Sequence, residues 1–297
     1  MKIEEALLSE FESLAKHIEQ GGGVLGVSTG FKDIDGLIHG FRGGDLVVLA
    51  SRPGVGKTSL ALNIAMNAAK QGSSVAFVSL EMPADQIMQR IMCAEARVSL
   101  SHLRAGCIQD SDWGVIVEAA RVLSDLDFSV EDAPVMTVER IRNAVADTLE
   151  KKNPLIVIDS LQLIMPDEDD LAYKNRTVEV DRLVRGLKLF ARECDVPLLV
   201  TASLSRASVN RNCGSRPLLT DLRESGAIEQ TADVVMFVDR SMDEIEAECE
   251  DRPDLGLAEI IVAKHRNGPT CDIPLCFNAE CLRFMDFIGD SRIGCYL

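Results

Sequence analysis

Apolar residues follow two rhythms along this chain, and the rhythms alternate in a regular order. Over 2–20, Ile3, Leu7, Phe11, Leu14 and Ile18 recur every three or four positions with Glu and Lys between them, which predicts an amphipathic helix with one apolar stripe. Gly21, Gly22 and Gly23 follow and end that helix in a flexible joint. Residues 1–20 therefore read as a tethered helix, 21–27 as a glycine-rich joint and 28–297 as one large domain. Such a helix can fold back on its own domain or dock on a neighbouring subunit. A glycine-punctuated lead-in with Gly30, Gly36, Gly40, Gly43 and Gly44 then reaches the apolar run 46–50.

Further buried-strand runs cover 75–80, 155–159, 197–202 and 234–238, with a short one at 128–131. Between them lie helical stretches: one after the first run, one starting near Pro83, and one from about Asp112 with Ser111 as N-cap. Others run from Thr137 to about Lys152, over 177–194, and near 221–231. Strands alternating with helices predict an α/β fold whose mostly parallel central sheet is flanked by helices on both faces. The tail departs from this rhythm: 258–265, 271–277 and 281–287 are strands joined by turns at Asn267-Gly268-Pro269 and Asn278-Ala279-Glu280. They predict antiparallel hairpins at the C-terminal edge of the sheet.

Composition adds exclusions. The 297 residues, 46% hydrophobic and 26% charged, are globular in kind. With no run of eighteen apolar residues and no leader pattern, the expected address is cytoplasmic with no membrane partner. The nine cysteines contain no C-x-x-C pair, and Cys271, Cys276 and Cys281 are spaced by five, which fits reduced structural thiols better than a zinc site. The net charge of −16 disfavours non-specific sticking to DNA, but stretch 241–255 contributes −6 of it and 167–170 another −4, so it describes no particular face.

Chemistry concentrates where the first strand meets its helix. Pro53-Gly54-Val55-Gly56-Lys57-Thr58-Ser59 follows the apolar run and retains the core of a phosphate-binding loop. Glycines let backbone N–H groups close round phosphates, the lysine reaches the β/γ-phosphates, and the threonine hydroxyl ligates Mg²⁺. Ser51 stands where the strict pattern has glycine. Glu81 closes the second strand and reads either as the carboxylate that activates water or as an acid favoured at a helix N-terminus. Asp159 ends a run of large apolar residues, as the second Mg²⁺ anchor does. Arg206, Arg211 and Arg216 occupy an acid-free stretch, 203–219, with Arg223 just beyond; that pattern fits contacts to nucleic-acid phosphates or a solvated polar loop. Lys264 and Arg266 end a strand expected at the sheet edge, as an arginine finger for an adjacent subunit or as charges that keep the edge from pairing.

Five ordered blocks, Gly54-Val55-Gly56-Lys57-Thr58, Ser79-Leu80-Glu81-Met82, Ile158-Asp159-Ser160-Leu161-Gln162-Leu163, residues 221–230 and residues 263–270, together resemble the C-terminal ATPase domain of the DnaB replicative helicases. The likeness runs over nearly the whole chain. It implies a RecA-like P-loop fold, a homo-oligomer in the form of a hexameric ring, and ATP hydrolysis between subunits that drives movement along single-stranded DNA. By this resemblance Lys57 and Thr58 hold phosphate and Mg²⁺, Glu81 activates water, Asp159 anchors Mg²⁺, and Lys264 and Arg266 reach a neighbour's γ-phosphate. Arg223, Glu224 and Gly226 lie along the DNA backbone, and the N-terminal helix corresponds to the linker helix that packs on the adjacent subunit.

The sequence departs from the family pattern in four ways. Ser203 and His265 stand where glutamines are usual, acids fill 167–170, and the N-terminal collar that recruits primase lies outside this sequence. Two other classes are weighed: a RecA/RadA- or KaiC-like ATPase, which lacks the 221–230 block, and a nucleotide-binding, non-catalytic ring-assembly subunit.

Overall fold

The computed structural model describes residues 3, 7, 11, 24–166, 176–204, 216–222, 226–240 and 255–288. Ile3, Leu7 and Phe11 are helical and exposed. The glycine-punctuated lead-in contains a helix, α1 (Lys32–Ile38), which buries Ile34 and Ile38. Its N-terminal approach is organised by Asp35, which accepts hydrogen bonds from the Thr29 hydroxyl at 2.9 Å and backbone N–H at 2.8 Å.

Strand β1 (Leu46–Ser51) then leads to α2 (Lys57–Lys70), β2 (Val75–Ser79) and α3 (Ala84–Ala96). Next come α4 (Leu100–Ala105), which the apolar pattern does not predict, and α5 (Asp110–Ser124). Helix α5 starts ahead of Ser111, with Gln109 as N-cap. After β3 (Phe128–Asp132), Thr137 caps α6 (Val138–Ala144) by accepting from the Arg140 N–H. The helix expected to continue to Lys152 instead breaks at Val145, and α7 (Ala146–Leu149) follows.

Strand β4 (Leu155–Asp159) and a 3₁₀ turn, Leu161–Leu163, precede α8 (Arg176–Glu193) and β5 (Leu198–Ser203). The helix expected near 221–231 resolves into a 3₁₀ turn, Leu219–Asp221, and α9 (Gly226–Thr231). The remainder is β6 (Val234–Asp239), β7 (Gly256–His265), β8 (Cys271–Asn278) and β9 (Arg283–Asp286). Cys281, expected in the last strand, lies in the turn before β9.

Among the described residues, one nine-stranded sheet has the order β3-β2-β4-β5-β1-β6-β7-β8-β9. It is parallel from β3 to β6 and antiparallel beyond. Every β1 residue is buried because both faces are covered, which is why the run shows no alternation. Val47 and Leu49 pack with Leu60 and Ile64 of α2 on one face, while Leu46, Val48 and Ala50 pack with Leu183 and Leu187 of α8 on the other. Strand β7, expected at the edge, is interior, between β6 and β8; the edge is β9.

Candidate nucleotide site

The site forms at the carboxyl ends of adjacent parallel strands, where α/β sheets keep their ligands. Register sets Ser79 beside Asp159 and Ser51 beside Ser203. Beyond β1 the chain turns through Gly54 at φ +80° and Gly56 at φ +119°, conformations that L side chains adopt only with strain. Ser51 needs no such freedom. It is a buried strand residue whose Oγ donates to the Arg52 carbonyl at 2.7 Å, so serine replaces the strict-pattern glycine without cost to the turn. Gly56 is the N-cap of α2 and offers no side-chain oxygen to the first-turn N–H groups. Those donors and the helix dipole make a setting suited to phosphate.

Lys57 opens α2 with its Nζ 3.6 Å from Glu81 Oε2 and 3.7 Å from Asp159 Oδ1. Asp159 is fully buried and accepts hydrogen bonds from the Thr58 hydroxyl at 2.8 Å and from the Thr201 hydroxyl. A hydroxyl and a carboxylate brought together in this way form an oxygen pair that fits a small octahedral cation completed by phosphate and water.

Glu81 lies beyond β2, which stops at Ser79. The Ser79 Oγ donates to the Met82 carbonyl at 2.6 Å and accepts from its N–H at 3.2 Å, pinning the bend that presents Glu81. The N–H at the start of α3 is taken by Asp132, which accepts from Ala84 at 2.8 Å. Glu81 thus faces Lys57 with its side chain 55% exposed, open enough for water to reach it.

Several residues here have no role assigned by the motifs. Thr201 is a polar side chain within the apolar stretch Leu198–Ala202 of β5, the signal that could have found it. Arg90 of α3 has a buried Nε with no hydrogen-bond partner among the described residues. Burial and nearby Arg104 push its pKa down, while the charges of Asp159 and Glu81 pull it up. Gln162 clamps the backbone of Ser203, its Oε1 accepting from the Ser203 N–H at 3.2 Å and its Nε2 donating to the carbonyl at 3.3 Å. Asn63 of α2 ties the loop's helix to the last strand: its Oδ1 accepts from the Phe284 N–H at 2.7 Å and its Nδ2 donates to the Leu282 carbonyl at 3.2 Å.

The other candidates lie apart from this cluster. Lys264 donates to the carbonyls of Glu229, Gln230 and Ala232 at the end of α9, and Arg266 pairs with Asp233 at 3.0 Å. Burial, then the charge of Arg266, push the Lys264 ammonium below the usual lysine range. Arg216 is ion-paired with Glu259 at 3.4 Å and with Asp272. Gly226 is exposed at the start of α9. Arg206, Arg211, Arg223, Glu224 and the acids of 167–170 lie outside the described residues. Among the described residues, no helix is long and apolar enough to cross a membrane.

The chain resembles known proteins over nearly its whole length. The replicative DNA helicase DnaB of Geobacillus stearothermophilus is 39% identical over 287 residues, covering 96% of this chain and 62% of that protein. The ATPase domain of G40P superposes with a TM-score of 0.86 at 32% identity, covering 97% of this chain and 99% of that one. A DnaB-like replicative helicase, solved in a study of its interactions with primase, gives a TM-score of 0.85 at 32% identity, covering 97% of this chain and 69% of that one. The chain thus spans about three-fifths of the curated relative's length. Its nine-stranded sheet, parallel with antiparallel C-terminal strands, is the RecA-like ATPase fold. Residues 26–286 match the DnaB-like helicase C terminal domain, and the chain belongs to that family.

Proposed function

We propose that this chain is the motor of a ring-forming replicative DNA helicase, hydrolysing ATP between subunits to move along single-stranded DNA and unwind duplex. The observation that carries the reading is the meeting of Lys57, Thr58, Asp159 and Glu81 at one end of the sheet, with Lys57 within 3.7 Å of both carboxylates. When bound, Mg²⁺ neutralises charge on the β- and γ-phosphates. Thr58 and Asp159 would hold it. Pro53, Gly54, Val55, Gly56 and Ser59 line the turn around the phosphates, and Lys57 exchanges its carboxylate partners for phosphate oxygens. Glu81, half-exposed and pinned by the Ser79 bend, accepts the proton of the attacking water.

Lys264 lies at the end of β7 and Arg266 directly after it, and both act on the nucleotide of the adjacent subunit, so each site is completed by its neighbour. Arg206, Arg211, Arg223, Glu224 and Gly226 follow the DNA backbone. Arg216 contributes less, because Glu259 and Asp272 already neutralise it. The exposed stripe of Ile3, Leu7 and Phe11 docks on the adjacent subunit, and primase or a loader is the expected protein partner.

The test is the rate of ATP hydrolysis with and without a single-stranded oligonucleotide at low salt, with oligomeric state measured by native mass spectrometry. Stimulation by DNA in a hexamer is expected. A hexamer whose hydrolysis ignores DNA overturns the reading.

A further inference from the structure

Arg266 does not hang free from the end of β7. Its Nη1 donates to Asp233 Oδ1 at 3.0 Å, its Nη2 to the Gln230 carbonyl at 3.2 Å, and its backbone N–H to the Asp233 carbonyl at 2.8 Å. Asp233 is a rigid anchor, with only 6% of its side chain exposed. Its second oxygen accepts from the Leu46 N–H at 2.9 Å and from Lys188 of α8. Leu46 is the first residue of β1, the strand that runs directly into the glycine loop. The second acceptor is fixed too, since Lys264 donates to the same Gln230 carbonyl at 3.3 Å and to those of Glu229 and Ala232 at 2.5 and 2.6 Å.

A guanidinium carries five N–H donors. Two are spent on Asp233 and Gln230. The remaining donors can face outward, and the side chain is 48% exposed. Lys188 matters as well, because it keeps the buried Asp233 charge matched and so available as an acceptor.

Resting on the reading of Arg266 as a finger acting in trans, we propose that Asp233 is its positioning residue. Asp233 holds the guanidinium in its working rotamer before a neighbouring nucleotide arrives and registers it to the first residue of β1. An arginine left to its own rotamers misses its target by more than an ångström, and a displacement of about 1 Å can cost roughly 100-fold in rate.

The experiment is a double-mutant cycle of Asp233→Asn and Arg266→Gln, read as kcat and KM for ATP on single-stranded DNA in rings of verified size. Asparagine keeps an oxygen for the Leu46 N–H but loses the charge that grips Arg266. Asp233→Asn is expected to lower kcat about 100-fold with KM unchanged, and to cause no further loss in the Arg266→Gln background. Losses that multiply, or an unchanged kcat in Asp233→Asn, overturn the proposal. An unchanged kcat in Arg266→Gln instead overturns the finger reading itself. Should Asp233→Asn fail to assemble, Arg266→Lys decides. It keeps the charge but loses the fork, so kcat should fall comparably, and full kcat there overturns the proposal.

Discussion

Removing Asn63 should loosen the nucleotide loop through a contact far from any phosphate. The residue lies in the second turn of α2, 9% exposed, and makes three hydrogen bonds: to the Ser59 carbonyl at 2.8 Å, to the Leu282 carbonyl at 3.2 Å and from the Phe284 N–H at 2.7 Å. In Asn63→Ala the buried Phe284 N–H and the Leu282 carbonyl lose their partner. An unsatisfied buried group costs about 1–3 kcal/mol. Leu282 is partly open to water and Phe284 is not, so the total should be about 3 kcal/mol, or roughly 5 °C in Tm for a chain of this size. Phe284 also packs against the glycine loop, its Cζ 3.3 Å from where a Cβ on Gly56 would sit. KM for ATP should therefore rise several-fold. Urea unfolding with the slope m compared between variants measures the first effect and steady-state hydrolysis the second. Asn63→Asp is the control: it retains an acceptor for Phe284 but aims an anion at two carbonyls, and should be no more stable than Asn63→Ala at neutral pH. A loss below about 0.5 kcal/mol in Asn63→Ala at unchanged m would refute the idea that this side chain braces the loop.

Three further outcomes are expected. Glu81→Gln should bind ATP normally and lose turnover, measured by fluorescent-nucleotide titration beside a phosphate-release assay; retained turnover removes Glu81 from the role of base. Gly56→Ala imposes φ +119° on an L residue and crowds Phe284, a strain of about 1–3 kcal/mol, and calorimetry should show a non-hydrolysable ATP analogue bound about tenfold more weakly. Burial, only partly offset by a hydrogen bond to the Pro269 carbonyl, lowers the His265 pKa below 6.5. The folded chain therefore holds fewer protons than the unfolded one just below that pH, and stability should fall as pH drops through about 6.5. His265→Gln should remove that slope in denaturation curves taken between pH 5 and 8.

Strands β1, β2, β4, β5 and β6 were legible because each is a dense apolar run bounded by glycine or polar residues, and sheets covered on both faces produce such runs. The motif-bearing ends of β1, β2 and β4 followed from the same logic. Boundaries failed where backbone and solvent decide rather than apolar spacing. Helix α4 buries none of its residues and so leaves no stripe to read, and the break at Val145 has no proline or glycine to announce it. The interior position of β7 could not be read from a strand that looks alike in the middle or at the rim. Of the residues named by motif, Lys57, Thr58, Glu81 and Asp159 converge while Lys264 and Arg266 lie apart from them; Thr201, Arg90 and Asn63 act through contacts between segments distant in sequence. Their local settings are ordinary, and only the sheet order brings them to the chemistry.

That order has a consequence for how the chain acquires its activity. Asn63 meets Leu282 and Phe284 across 219 and 221 residues of sequence. On a ribosome, the glycine loop and α2 emerge well before the strand that braces them. A nascent chain can therefore build most of its parallel sheet yet lack a competent nucleotide pocket. Because the brace closes only after β9 is in place, nucleotide affinity should appear abruptly once β9 has been made, a delay that keeps unfinished chains from occupying nucleotide.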